Sequence, residues 1–241
     1  SLGVEEAHLI AHPMEKTFNC KIFQESIEWA LCQVYIQRMY FDGTQIKSLI
    51  NRFENLTYPD PFYHLESLKG AFKGRPIILC GGGFSLPELY NTLQTLSPHV
   101  PIAAAGTANT LLMNHGIEPH FSAILDPFPN QVVTAQYNTH SSILFFLPRS
   151  GCEAVSLHHG PKILCHDFIE TPLIDWMTPY FNSQKTDTIG YWTVTDFLLN
   201  QLLFLGFGPI YLCGTDHILK KDQYYGDPNL KITSRPIHVR E

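Results

Sequence analysis

From Arg75 onward the chain alternates short apolar, β-rich runs with helical stretches, a rhythm that marks parallel βαβ units. The runs are Pro76–Cys80, Ile102–Ala105, Phe121–Leu125, Ile143–Leu147 and Pro209–Cys213, with Lys162–Cys165 as a weaker sixth. Several are apolar at successive positions, not at alternate ones, as expected of strands whose sheet carries helices on both faces. Between about Thr193 and Leu205, the side chains of Val194, Phe197, Leu198, Leu202 and Leu205 share one broad helical face, and Gly206 and Gly208 end that helix before the last strand. The expected fold is α/β and Rossmann-like, a mostly parallel sheet flanked by helices over residues 73–241.

Residues 18–72 read differently. Ile22, Phe23, Ile27, Trp29, Ala30, Leu31, Val34, Tyr35 and Met39 recur at helical spacing up to a stop at Asp42-Gly43, and a second helix is expected over Thr44–Leu56. Two prolines within Tyr58–Tyr63 break the helix and suggest a linker, and Leu65–Phe72 reads as a further short helix. Residues 1–72 are thus expected to form a small helical N-terminal region with a boundary near Lys73, able to dock a protein partner.

A formal net charge of −6 without a local Lys/Arg cluster argues against nucleic acid as a partner. The longest apolar runs, Ser142–Pro148 and Phe197–Phe207, are too short or too interrupted to span a bilayer, and no basic-then-apolar segment opens the chain. No membrane span and a cytoplasmic location are expected. Cys80, Cys165 and Cys213 sit at strand ends, where buried free thiols behave as small hydrophobes, and no cysteine pair has zinc-ligand spacing.

The candidate site starts at the segment PIILCGGGFSLP, residues 76–87. Gly81, Gly82 and Gly83 permit unusual backbone angles and let a ligand approach the main chain without meeting a Cβ atom. Ser85 with Glu88 three residues on has capping-box spacing, and Pro87 suits a first helical turn. Free amides and the positive end of a helix dipole would then face the turn, which favours an anionic group such as phosphate. The motif is neither a Walker loop nor a GxGxxG fingerprint.

Ligands of open α/β sheets lie beyond the carboxyl ends of the strands. Gly106-Thr107 with Asn109, Asp126-Pro127, Arg149-Ser150-Gly151 and Gly214-Thr215-Asp216 occupy such places. Asp126 and Asp216 could hold Mg²⁺ against phosphates, bind a ribose hydroxyl, or cap a turn. Thr193 and Thr195 open the long helix, where they cap it or meet a second anion. His158, His159, His166 and His217 have no metal-binding spacing, so no transition-metal site is expected; His217, following Asp216 at a strand mouth, is a candidate general acid or base.

Three segments taken in order, CGGGFSL at 80–86, IAAAGTANTLLMNHGIEPHFSAILDP at 102–127 and TVTDFLLNQLLFLGFGPIYLCGTD at 193–216, resemble the MptE-like domain of the motility-associated factor (Maf) glycosyltransferases. That group includes archaeal 6-hydroxymethylpterin diphosphokinases and is similar in outline to bacterial sialyltransferases, whose GNGPSL turn binds a CMP-sugar. The resemblance implies that Gly81, Gly83 and Ser85 contact a nucleotide phosphate and that Gly106 and Thr107 line the nucleotide pocket. It places Asp126 and Asp216 at the closing strand ends and Thr193 and Thr195 at the helix start facing the ligand. Phe84 stands where the family turn usually has proline, and Gly106 where pterin-kinase-like members tend to carry Asp, which favours the glycosyltransferase branch. Tyr224 and Tyr225 fall in the region of an acceptor loop, and His238 is a weak counterpart of a late catalytic histidine.

The leading expectation is a transferase using a nucleotide-activated donor, such as a CMP-linked nonulosonic acid, with Asp216 and His217 as catalytic candidates and an unidentified acceptor. The alternatives are a Mg²⁺-dependent 6-hydroxymethylpterin diphosphokinase using ATP, and a nucleotide-binding or scaffolding module without turnover.

Overall fold

The computed structural model describes residues 46–57, 62–128, 141–165 and 193–216. In chain order these form α1 (residues 46–57), β1 (Tyr63–His64), β2 (Ile77–Cys80), α2 (Tyr90–Leu96), β3 (Ile102–Ala105), α3 (Thr107–Asn114), β4 (Phe121–Ile124), β5 (Ile143–Phe146), α4 (Cys152–Leu157), β6 (Lys162–Leu164), α5 (Val194–Phe204) and β7 (Ile210–Cys213). Single 3₁₀ segments at Leu65–Leu68 and Leu86–Leu89 follow β1 and precede α2.

The strands make one seven-stranded sheet in the order β1-β6-β5-β4-β3-β2-β7, with every pairing parallel. Each run expected to be a strand is one, to within a residue at its ends. Continuous apolar sequence follows from position: β2, β3 and β4 are buried at every residue, so both faces need apolar side chains. One face packs Leu79, Ala103, Ala123 and Phe145 against Phe197, Leu198 and Leu202 of α5. The other packs Ile78, Cys80, Ile102 and Ala104 against α2 and α3, and Ile124, Leu144 and Phe146 against α4. The register Ile77↔Ile210 to Cys80↔Cys213 aligns the carboxyl ends of β2 and β7.

Connections from β2 to β6 step steadily to one side of β2, whereas β7 lies on its other side. The direction of winding therefore reverses between β2 and β7, the place where an open sheet of this kind leaves a crevice. The glycine turn leaves β2 at that point, and Gly214-Thr215-Asp216 leaves β7 beside it.

The sheet unit also includes residues that the sequence assigns to a separate helical region. The compact unit holding the sheet runs from Ile46 to Glu241, so the expected boundary near Lys73 falls inside it. β1, in the segment expected to be a linker, pairs with β6 through Tyr63↔Ile163 and His64↔Leu164. α1 turns polar residues inward: Ser48, Asn51, Arg52 and Asn55 are buried, whereas Ile46, Leu49, Ile50 and Phe53 are exposed. Asn51 Nδ2 donates to the carbonyls of Pro127 and Arg149, both at 3.0 Å, and Asn55 Nδ2 donates to those of Pro148 (2.9 Å) and Ser150 (2.7 Å). These carbonyls belong to the loops leaving β4 and β5, so α1 supplies donors that the loops lack. The first helix expected from sequence, ending at Asp42-Gly43, lies outside the described residues.

Candidate functional site

At the winding reversal the glycine turn is tied down by its neighbour. The Gly81 amide donates to the Cys213 carbonyl and that of Gly83 to the Gly214 carbonyl, both at 2.8 Å, and the Leu86 amide to the Gly83 carbonyl at 3.2 Å. The Phe84 amide donates to Asp216 Oδ2 at 2.9 Å, and the Ser85 hydroxyl to Asp216 Oδ1 at 2.8 Å. Ser85 has no capping bond to its own helix, in contrast to the expected capping box. An acceptor 131 residues later in the chain claims its hydroxyl.

This packing also accounts for the glycines at 81 and 83. A Cβ on Gly81 would lie 2.6 Å from the Gly214 carbonyl oxygen; one on Gly83 would overlap Asp216 Oδ1 and stand 2.6 Å from that same carbonyl oxygen. The close approach that excludes a side chain is made by the β7 turn. The amides expected to await a phosphate are largely engaged within the protein, and the carboxylate of Asp216 already occupies the positive end of the segment that starts at Leu86.

Slight withdrawal from water pushes the Asp216 carboxyl up, but bonds from the Ser85 hydroxyl and the amides of Asp216, Ser85 and Phe84 outweigh it and hold its pKa below the ordinary value. A depressed carboxylate contributes stability above its unfolded pKa and loses it as pH falls through the folded one. Wild type and Asp216→Asn should therefore differ most in thermal stability above about pH 5 and converge well below the ordinary aspartate value of ~3.9. Thermal denaturation of both across pH 2–7 (roughly the window set by that value) checks this; a difference that does not shrink in acid contradicts it.

Asp126 follows β4, and β4 and β7 are separated by β3 and β2. Three spacings put those strand ends about 14 Å apart. Asp126 and Asp216 are not brought together, and both Asp216 oxygens already accept hydrogen bonds, so the pair does not fit a single shared cation. The described residues contain no cluster of three or more His, Cys, Asp or Glu suited to a metal. Asp126 reaches solvent from within a crowded crevice; the crowding raises its carboxyl pKa, and the Arg149 guanidinium lowers it by less.

The turn after β3 is organised otherwise. Gly106 has φ +50°, an angle that L side chains rarely adopt, and passes the chain directly into α3 beside Val194, the first residue of α5. α3 has no side-chain cap and no acidic residue in its first turn. By contrast, the Thr193 hydroxyl caps α5 by accepting from the Asp196 amide at 3.0 Å, as expected, and Asp196 adds negative charge there. Of the helix starts described at this end of the sheet around β2, β3 and α5, that of α3 is left without a compensating side chain.

Asn109, in that first turn, is 1% exposed, and neither its Oδ1 nor its Nδ2 has a hydrogen-bond partner. Burying an amide without partners costs several kcal/mol, roughly 2–7 depending on the reference.

Other candidates are structural. Ser150 is fully buried, donates to the Ile124 carbonyl and accepts from the Leu147 amide. His158 is buried with Nε2 2.7 Å from the Ser142 carbonyl. His166, His217, Tyr224, Tyr225 and His238 lie outside the described residues. In sequence, Asn51 and Asn55 carry only their i, i+4 spacing as a signal, because polar residues in a helix ordinarily face water.

Residues 50–222 match the model of a family described as 6-hydroxymethylpterin diphosphokinase MptE-like, most of the chain. The chain belongs to the MptE-like family. No curated protein matches it. Among solved structures it is similar to a Maf glycosyltransferase from Magnetospirillum magneticum AMB-1, with a TM-score of 0.58 and 18% identity over 79% of this chain. The chain spans 29% of that glycosyltransferase chain. At this identity the likeness concerns the fold. No described helix is long and apolar enough to cross a membrane.

Proposed function

We propose that this MptE-like chain is the nucleotide-binding part of a transferase, and that it holds a nucleotide-activated donor, such as a CMP-linked sugar acid, at the start of α3. Family membership and the fold shared with a glycosyltransferase support a transferase-type function. The observation that carries the reading is Asn109, a buried amide with both polar atoms unpaired beside an uncapped helix start. The polar edge of a base or sugar would satisfy both atoms, and the α3 amides would stabilise an adjacent negative charge. Gly106 and Thr107 line the approach, and Thr193 and Thr195 border it from α5. The β2 turn contributes through Gly82 and Ser85 once Asp216 releases its hold. Transfer at an anomeric carbon expels a phosphate-bearing group, and amides already oriented at a helix start lower the cost of that developing charge. Asp216 and His217 remain the proposed catalytic pair, and Tyr224 and Tyr225 the proposed acceptor contacts.

Isothermal titration with CMP, CDP, UDP and ATP tests this reading. Binding of at least one at millimolar concentration or below is expected; no heat with any of them overturns it. Diphosphate transfer from ATP to a pterin alcohol is the second reading, favoured by the family description. It requires activity with ATP and the reduced pterin that EDTA abolishes, and activity that survives chelation excludes it.

A further inference from the structure

Cys80 and Cys213 end the neighbouring strands β2 and β7 and are direct partners in the parallel register. Paired residues on adjacent strands have Cα atoms about 4.8 Å apart, inside the 4.4–6.8 Å range that a disulfide spans. Both side chains point to the same face of the sheet, where Cys80 is buried in the core beneath α2 and α3 and Cys213 packs at its margin, half-buried. β7 is the outer strand of the described sheet, and Cys213 on it is only partly buried. The two thiols lie close enough for each to shift the titration of the other. Gly81 and Gly214 follow them immediately, in the paired turns that carry Asp216.

We propose that Cys80 and Cys213 are a redox-active dithiol in which Cys213 is the attacking thiol and Cys80 the resolving one, closing to an intramolecular disulfide beneath the glycine turn when a hydroperoxide is present. The Cys213 thiolate attacks the terminal oxygen of the hydroperoxide; the O–O bond breaks, an S–O bond forms, and the alkoxide takes a proton and leaves as the alcohol. Cys80 then loses its proton, and its sulfur attacks Cys213 Sγ; the S–O bond breaks, and hydroxide takes up the proton and leaves as water. Two thiols thereby supply the two electrons that reduce one hydroperoxide. The asymmetry of the pair supports these roles. The neighbouring Cys80 thiol draws the Cys213 thiol pKa down to about 7, whereas Cys213 together with burial raises Cys80 well above the ordinary thiol value. Cys165, fully buried with its thiol likewise raised, is expected to stay inert.

Peptide mapping of the full chain after treatment with one equivalent of hydrogen peroxide tests the proposal. The expected result is a cross-linked peptide pair containing Cys80 and Cys213, reversed by dithiothreitol, with Cys165 still free. Alkylation of Cys213 in the untreated protein should rise with pH around a midpoint near 7. In Cys80→Ala, peroxide should leave a sulfenic acid at Cys213 that dimedone traps, and the alkylation midpoint should move toward the ordinary thiol value of ~8.5. Wild-type protein that gives no 80–213 cross-link while its other thiols oxidise overturns the proposal, and this reading does not depend on any variant folding.

Discussion

Gly83→Ala should lower the stability of the chain by about 3 kcal/mol, the upper range for forcing atoms into a packed site, and its thermal midpoint by roughly 10 °C for a unit of this size. The added methyl meets Asp216 Oδ1 and the Gly214 carbonyl oxygen. The side chain of Asp216 can rotate away, at the loss of its bonds to the Phe84 amide and Ser85 hydroxyl. The Gly214 carbonyl cannot, because it accepts from the Gly83 amide and follows a strand in register with β2. Differential scanning calorimetry of the variant measures the effect. A midpoint within a degree or so of wild type, well under the shift expected for 1 kcal/mol, would mean that the two turns are not locked together.

Asn55→Ala should cost about 3 kcal/mol, because it removes two hydrogen bonds at about 1 kcal/mol each and leaves carbonyls without a donor in a buried place. The bonds are those to the Pro148 and Ser150 carbonyls, and Asn55 is 3% exposed. Asn51→Ala should act similarly through Pro127 and Arg149, and the double variant should lose less than the sum, since both side chains hold one pair of loops. Urea denaturation of the three variants checks this. Losses below about 0.5 kcal/mol, typical of surface positions, would show that α1 is an appendage and not part of the sheet unit.

The strands were legible because β2 to β5 are short apolar runs buried on both faces, and such runs have few other uses. β1 was not, since two residues following a proline-rich segment have no pattern of their own and become a strand only through β6. The mouth of the site was legible as a set of places, strand ends carrying Gly, Thr, Asn and Asp. Their pairings were not. Ser85 reads locally as a cap, yet its partner is Asp216, and Asp126 and Asp216 look alike in sequence although the sheet order holds them apart. Gly81 and Gly83 signal close approach in sequence, and only the fold tells that the approaching group is another turn of the chain. Cys80 and Cys213 read as two buried apolar thiols; register makes them a pair.

A ligand bound at the start of α3 would supply the partners that Asn109 lacks. Calorimetric titration of wild type and Asn109→Ala with the tightest-binding nucleotide, alongside their thermal midpoints, tests it most directly. Removing a buried amide that has no partners should leave stability unchanged or raised, while the loss of its bonds to the ligand should weaken binding at least tenfold, about 1.4 kcal/mol or more. Equal affinity in the two proteins, or a variant that loses stability and keeps its affinity, would contradict a ligand site at Asn109.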